Sequence, residues 1–262
     1  MKNLFGHIGR AFLTFLQDLS SLFYLFVEAI AEAGKLLFDR KKRKQARLLE
    51  QVDEVGAQSL PLVLVVAALL GIALTVLISF QLKEIGGLNY MPGFVAVAIF
   101  REMGPLITAL IVAGRVGAAF TARIGTMKVS EEILALETMA IDPVRYLVVN
   151  RLIGMLIALP ALTLLANFTA VFGGFLFGAV RLGIRPDTYV RETLEVLMFR
   201  DVYSGMCKAA VYAILIVMIG CYRGLIIEGG AEEVGKATMI SVVSSTLAII
   251  VFDTVMTAAF YG

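Results

Sequence analysis

Residues 60–80 read LPLVLVVAALLGIALTVLISF and contain no Asp, Glu, Lys or Arg. A second run without these residues covers positions 152–180. At about 1.5 Å of rise per helical residue, either run is long enough to cross a hydrocarbon core roughly 30 Å thick. Neither run shows the alternation of apolar and polar residues that is typical of a membrane β-barrel strand. Both runs therefore predict membrane-spanning α-helices.

Three further stretches are apolar but carry isolated charges. Residues 91–120 contain Arg101, Glu102 and Arg115, residues 202–222 contain Lys208, and residues 237–261 contain Asp253. Together with the two uncharged runs, they predict an all-α integral membrane protein with five transmembrane helices, at about 60–80, 91–120, 147–180, 202–222 and 237–261.

The composition agrees with this fold class and excludes several chemistries. Of the 262 residues, 59% are hydrophobic and only 17% are charged, whereas soluble domains carry roughly 25% charged residues. Five spans with their loops leave no room for a separate catalytic domain. A single histidine, His7, rules out a zinc site built from several His ligands, and two cysteines in one apolar stretch give no support for a disulfide framework.

The first 47 residues form a region of different character. Their apolar positions recur at steps of three and four, at Phe12, Leu16, Leu19, Phe23, Phe26, Ile30, Ala33 and Leu37. This spacing predicts an amphipathic helix, and its polar interruptions favour a helix that lies in the membrane interface. A helix that packs on a partner protein has the same pattern, and this alternative stays open.

A basic run over residues 40–47, directly before the first span, is placed to contact anionic lipid of the cytoplasmic leaflet. With the N-terminus inside, the segments on the cytoplasmic side carry fourteen Lys and Arg residues and those on the outer side carry five. The positive-inside rule therefore predicts a cytoplasmic N-terminus and puts Gly262 outside.

The charges within the predicted spans are candidates for function. A charge at membrane depth costs at least about 2.5 kcal/mol on insertion scales, so it faces a protein interior or a wet cavity. Adjacent residues on a helix point about 100° apart, so we expect Arg101 and Glu102 to reach different partners, with Lys208 and Asp253 as the candidates. A buried ion-pair network that only fixes helix packing is the alternative to a substrate-lining role.

Residues 130–141, between the second and third spans, predict a short cytoplasmic helix. Ser130 is a plausible N-cap, Glu131 and Glu132 suit the positive end of the helix dipole, and Asp142 before Pro143 ends the helix. Its apolar residues exceed what a free loop helix needs, so it should press on the bundle or on another protein.

The motifs at 101–105 (REMGP), 113–117 (AGRVG), 122–127 (ARIGTM) and 139–143 (MAIDP) closely resemble the signature of MlaE-type permeases. These are the membrane subunits of bacterial ABC phospholipid transporters that maintain outer-membrane lipid asymmetry. The resemblance covers residues 48–262 as a permease domain and leaves 1–47 as the amphipathic helix and basic run. Glu132 stands where we expect Gln in the family, which adds a charge to the surface of the predicted helix at 130–141.

The resemblance implies a set of partners. The chain would form a homodimer in the bacterial inner membrane and would bind a cytoplasmic ABC ATPase subunit, a STAS-domain protein and a periplasmic MCE-domain lipid-binding protein. ATP and Mg would be bound by the ATPase, with no cofactor, metal or catalytic residue in this chain and no nucleic-acid partner. The Gly-rich segment 230–237 agrees with a nucleotide site in another chain. It resembles a P-loop, but its two glutamates would repel the phosphates that a P-loop attracts.

The resemblance also assigns roles to residues of this chain. Phospholipid would occupy a cavity at the dimer centre, with Arg101, Glu102 and Lys208 as the lipid-binding candidates. The helix at 130–141 would be the coupling helix that contacts the ATPase, through Glu131, Glu132, Leu136, Glu137 and Asp142.

Two other classes of protein stay open at this point. A channel or a secondary transporter would also contain charged residues within its spans, although five spans without a repeat between halves differ from the repeats common in such folds. A lipid-modifying membrane enzyme would need a nucleophile with a base, or a metal site, and the sequence contains neither Gly-x-Ser-x-Gly nor His-Glu-x-x-His.

Overall fold

A computed structural model describes residues 20–32 and 52–262, and every regular element within these residues is helical. We number the helices in chain order as α1 (20–32), α2 (Leu60–Glu84), α3 (Leu88–Val129), α4 (Glu132–Thr138), α5 (Val144–Leu182), α6 (Pro186–Val196), α7 (Phe199–Leu225) and α8 (Ala231–Tyr261). A single wide helical turn, Asp53–Ala57, leads into α2.

Five of these helices, α2, α3, α5, α7 and α8, are long and apolar enough to cross a membrane. The predicted all-α fold with five spanning helices is thus confirmed. Each helix extends beyond the predicted stretch at one end or both, because a helix satisfies its own backbone groups in water as well as in lipid. The largest extension is that of α3, which continues from the predicted end at residue 120 to Val129. There Arg123 forms an ion pair with Glu54 at 2.7 Å.

The spanning helices alternate in direction, which gives the bundle two distinct ends. We call the end that carries α4, together with the start of α5 and α8, the α4 end. The α6 end carries α6, the start of α7 and the end of α8. Helices α2 and α5 approach closely at Gly71, where the absence of a side chain permits the contact. A Cβ added at Gly71 would lie 1.8 Å from the carbonyl oxygen of Ala170 in α5.

Helix α1 packs on the α4 end of the bundle. Its buried residues Leu25 and Ala29 belong to the main apolar core, and Glu32 lies 3.8 Å from Arg145 at the start of α5. Phe23 and Ile30, which the spacing places on the apolar stripe, are instead exposed. The buried face is thus rotated from the predicted stripe, because contact with the bundle rather than spacing alone selects the face. Residues 1–19 and 33–51, with most of the stripe and the basic run, lie outside the described residues.

Helix α6 folds back against the bundle through one aromatic side chain. Tyr189 is buried, its hydroxyl donates a hydrogen bond to the carbonyl of Val171 at 3.3 Å, and its ring packs edge-on against Phe175. Burial raises the pKa of the Tyr189 hydroxyl to about 12. This anchor fixes the short segment that joins α5 to α7, and with it the position at which α7 begins.

Candidate functional site

The candidate site begins with a local irregularity in α3. The amide of Gly104 bonds to the carbonyl of Ile99, five residues back, so Ile99–Met103 forms a wide turn of the π type. Pro105 follows and has no amide hydrogen to bond to the carbonyl of Arg101, as a regular helix requires. The inserted turn changes the directions of Arg101 and Glu102, and such turns occur frequently at functional sites.

Helix α7 comes unusually close to this turn. A Cβ at Gly205 would lie 2.3 Å from the carbonyl oxygen of Phe100, so only glycine permits the contact. Lys208 follows Gly205 by three residues and therefore lies on the same side of α7. The close approach brings the Lys208 side chain from α7 to the Glu102 side chain of α3.

Lys208 is completely buried, and its three ammonium protons all have acceptors. The ammonium forms an ion pair with Glu102 of α3, and donates to Asp253 Oδ1 of α8 at 2.8 Å and to Thr257 Oγ1 at 2.7 Å. The Tyr212 hydroxyl also donates to Asp253. We call these five residues the lysine cluster. It joins α3, α7 and α8 at one level inside the bundle.

Arg101 reaches a different carboxylate, as its direction on the helix predicts. Its Nε lies 2.6 Å from Oδ1 of Asp201, which is buried in the first turn of α7. Oδ2 of Asp201 accepts a hydrogen bond from the amide of Met198 at 3.0 Å, and the Tyr261 hydroxyl lies 3.3 Å from Oδ1. One carboxylate thus caps α7, orients Arg101 and holds the end of α8.

Sequence reasoning identified Glu102, Lys208 and Asp253 but missed Asp201 and Tyr261. Lys208 pairs with Glu102 as expected, whereas Asp253, expected as a partner of Arg101 or Glu102, instead pairs with Lys208. That expectation is wrong, because Arg101 pairs with Asp201. The predicted span begins at residue 202, one position after Asp201, so this carboxylate falls just outside the apolar stretch. Its place three residues after Met198, where a carboxylate can cap a helix, was the available signal.

A cleft of about 470 Å³ opens beside the lysine cluster at the α6 end, lined by Glu102, Thr254, Thr257, Ala258, Tyr261 and Gly262. Its wall combines one carboxylate and two threonine hydroxyls with methyl groups and an aromatic ring. Within the part of the chain that the structure describes, no three His, Cys, Asp or Glu side chains could together hold a metal ion. The chemistry of this wall suits a ligand that has both polar and apolar parts.

The α4 end carries a surface on which apolar and acidic side chains are exposed together. Leu134 and Met139 are exposed, at 56% and 61% of their surface, although both are large and apolar. Glu131, Glu132 and Glu137 are exposed around them, and Leu136 is half-buried. Ile133 alone of this helix is buried, in the main apolar core. We call Leu134, Met139 and the three glutamates the α4 surface.

Two expectations for this segment, the helix bounds of 130–141 and the N-cap at Ser130, are wrong. The helix is shorter than the predicted 130–141, because Ser130 ends α3 and bonds back to the carbonyl of Thr126 at 2.9 Å, and the N-cap position is Glu131 in a left-handed conformation. Asp142, a candidate for ATPase contact, accepts hydrogen bonds from the amides of Val144 and Arg145 at the start of α5. Its carboxylate therefore already has a structural partner, although Asp142 is exposed.

The sequence of this chain is similar to those of known proteins. The sequence model of the family described as Permease MlaE matches residues 48–259. The chain belongs to the MlaE permease family. It is 36% identical over 203 residues to a probable ABC transporter permease protein of Synechocystis, which covers 78% of this chain and 77% of the relative.

Two further relatives extend the comparison. The intermembrane phospholipid transport system permease protein MlaE of Haemophilus influenzae is 30% identical over 244 residues, with 90% of this chain and 94% of the relative covered. The chloroplastic protein trigalactosyldiacylglycerol 1 of Arabidopsis thaliana is 33% identical over 213 residues, with 81% and 61% covered. The family and the five apolar helices together make this chain a multi-pass membrane permease subunit.

Proposed function

We propose that this chain is the permease subunit of an ABC transporter that moves phospholipid between the inner membrane and a periplasmic MCE-domain lipid carrier, and so maintains outer-membrane lipid asymmetry. The observation that carries the proposal is the cleft at the α6 end, where a buried ion cluster borders apolar wall inside a spanning bundle. The names of two relatives support a lipid as the ligand, because one refers to phospholipid transport and the other to trigalactosyldiacylglycerol.

The three lipid-binding candidates take different roles in this proposal. Arg101 uses only Nε for Asp201 and is partly exposed, so its two terminal nitrogens remain available to a phosphate. Glu102 lines the cleft directly. Lys208 has no proton left for a phosphate in this arrangement, so we assign it the positioning of Glu102.

The α4 surface is the proposed contact with the ATPase subunit, which would bind ATP and Mg. Exposed Leu134 and Met139 supply apolar area, and the glutamates around them supply charge that a basic partner surface would complement. A small groove of about 230 Å³ between Lys128, Ile133 and Leu134 would take a protruding side chain of the partner.

The proposed assembly is a homodimer with α8 at its centre. Helix α8 lines the cleft and leaves Leu247, Val251 and Val255 exposed, so a second copy would extend the cleft wall. The cytoplasmic ATPase and a STAS-domain protein would bind at the α4 end and the MCE-domain protein at the α6 end. This arrangement follows the basic-residue count, with a cytoplasmic N-terminus and Gly262 on the periplasmic side.

Affinity purification of the full chain from its native membrane in a mild detergent tests this function. We expect an ATPase and phospholipid to co-purify with the chain. A preparation that contains neither, while the chain remains dimeric and folded, would favour the channel or secondary transporter instead.

A further inference from the structure

Arg200, the second residue of α7, is an exposed cation beside the cleft. Its guanidinium carbon lies 4.9 Å from the centroid of the Tyr261 ring, a cation–π contact. Tyr261 in turn lines the cleft. Among the described residues, Arg200 has no carboxylate within ion-pair distance, whereas Arg185 and Arg191 at the same end of the bundle both have one.

The neighbouring carboxylate cannot compensate this charge. Asp201 accepts from Arg101 through Oδ1 and from the amide of Met198 through Oδ2. Arg200 also lies in the first turn of a helix, where the macrodipole disfavours a cation. The Arg101, Arg200 and Asp201 side chains together carry a net positive charge, and the Glu102 carboxylate of the same cleft is paired with Lys208.

Arg101 contacts the same aromatic ring, with its guanidinium carbon 4.5 Å from the Tyr261 centroid. Its Nη1 and Nη2 make no hydrogen bond to a described residue. Two guanidiniums with free N–H groups therefore meet at one ring, and guanidinium is the side chain that binds phosphate oxygens in a bidentate manner.

We propose that Arg101 and Arg200, held by Tyr261, form a subsite for an anionic phosphate group at the mouth of the cleft. This inference rests on the proposed function and names the position of the lipid phosphate within it. Farther along the cleft wall, Glu102 and Lys208 pair with each other, so the phosphate is left to the two arginines at the mouth. The methyl groups of Thr254 and Ala258 and the exposed apolar face of α8 receive the acyl chains.

The test uses the purified full chain in a detergent that lacks phosphate, titrated with dihexanoyl phosphatidylglycerol as the probe. Arg200→Gln should weaken binding of this probe about tenfold, the loss expected for a charge-assisted hydrogen bond. Arg200→Lys should weaken it less, because a lysine keeps the charge but loses the planar contact with Tyr261. Arg181→Gln is the matched control, since it removes an exposed arginine from the same end of the bundle, and it should leave binding unchanged.

A second arm adds excess inorganic phosphate, because a free phosphate presents the same oxygens as a lipid headgroup. We expect it to leave the bound lipid in place. Displacement of the lipid by inorganic phosphate would identify a free-phosphate site and overturn the lipid assignment. Equal binding by wild type, Arg200→Gln and Arg181→Gln would overturn the subsite while leaving the proposed function intact. A wild-type chain that binds no phospholipid would overturn the proposed function itself.

Discussion

Two groups of charged side chains, one at each end of the bundle, differ in burial. At the α6 end, charged groups such as Lys208 and Asp201 are buried and fully paired. At the α4 end, large apolar groups such as Leu134 and Met139 are exposed and acidic groups surround them. A buried charge is costly unless it is paired, whereas an exposed charge needs no partner. The proposed function assigns ligand handling to the α6 end and partner binding to the α4 end.

The largest effect should come from Lys208→Met, which removes the cation of the lysine cluster. Glu102 and Asp253 would then be left without their shared counter-ion, and breaking a buried pair in this way costs about 3–5 kcal/mol. We expect a marked loss of folded protein, measured as the yield and thermal unfolding midpoint of the detergent-purified chain.

Lys236→Met is the control for this substitution, because Lys236 is an exposed lysine of α8 whose pairs with Glu232 and Glu233 lie at the surface. It should change stability little. The triple variant Lys208→Met, Glu102→Gln, Asp253→Asn removes all three charges together and should recover most of the yield but retain less phospholipid. Full yield from Lys208→Met alone would contradict the conclusion that the ion pairs of the lysine cluster stabilise the fold.

Leu134→Asp should produce the largest effect at the α4 end. The new carboxylate would be desolvated in an apolar contact, at a cost of about 2 kcal/mol or more, so the ATPase should dissociate while the chain stays folded. The measurement is ATPase recovered per permease chain after affinity purification. Val190→Asp, at an exposed apolar position of α6, should retain the ATPase. Equal loss in both variants would remove the distinction between the two ends.

Asp201→Asn should have an intermediate effect, because asparagine can still cap α7 but loses the charge that pairs with Arg101. We expect a loss of about 1–3 kcal/mol in the free energy of unfolding, the range for a hydrogen bond to a charged group. Denaturant unfolding of the purified chain measures it. Asp187→Asn, an exposed aspartate of α6 at the same end, is the control and should change stability by much less.

Asp142→Ala should have the smallest effect. It removes the hydrogen bonds to the amides of Val144 and Arg145, and loss of such a cap costs about 1 kcal/mol. Asp142→Asn keeps an acceptor and should recover most of this stability. If Asp142→Asn instead loses the ATPase as Leu134→Asp does, the Asp142 carboxylate belongs to the docking contact as well as to the cap.

The five spans and one half of the buried network are predictable from the sequence. Uncharged runs such as 60–80 predict a span because the hydrocarbon core requires about twenty apolar residues in a row. This condition is met within one segment of the sequence, without any contact to a distant residue. Glu102 and Lys208 stood out as charges in apolar surroundings. The partner of Arg101 did not, because Asp201 lies a hundred residues away and just outside an apolar stretch.

Span number and fold class were therefore determined by the sequence itself, since helix formation in lipid depends on local hydrogen bonding and local hydrophobicity. The choice of ion-pair partners was decided only by the tertiary structure. It depends on the wide turn before Pro105, which sets the directions of Arg101 and Glu102, and on Gly205, which lets α7 approach α3. The buried face of α1 was decided in the same way, because contact with the bundle buries Leu25 and Ala29 while Phe23 and Ile30 of the predicted stripe stay exposed.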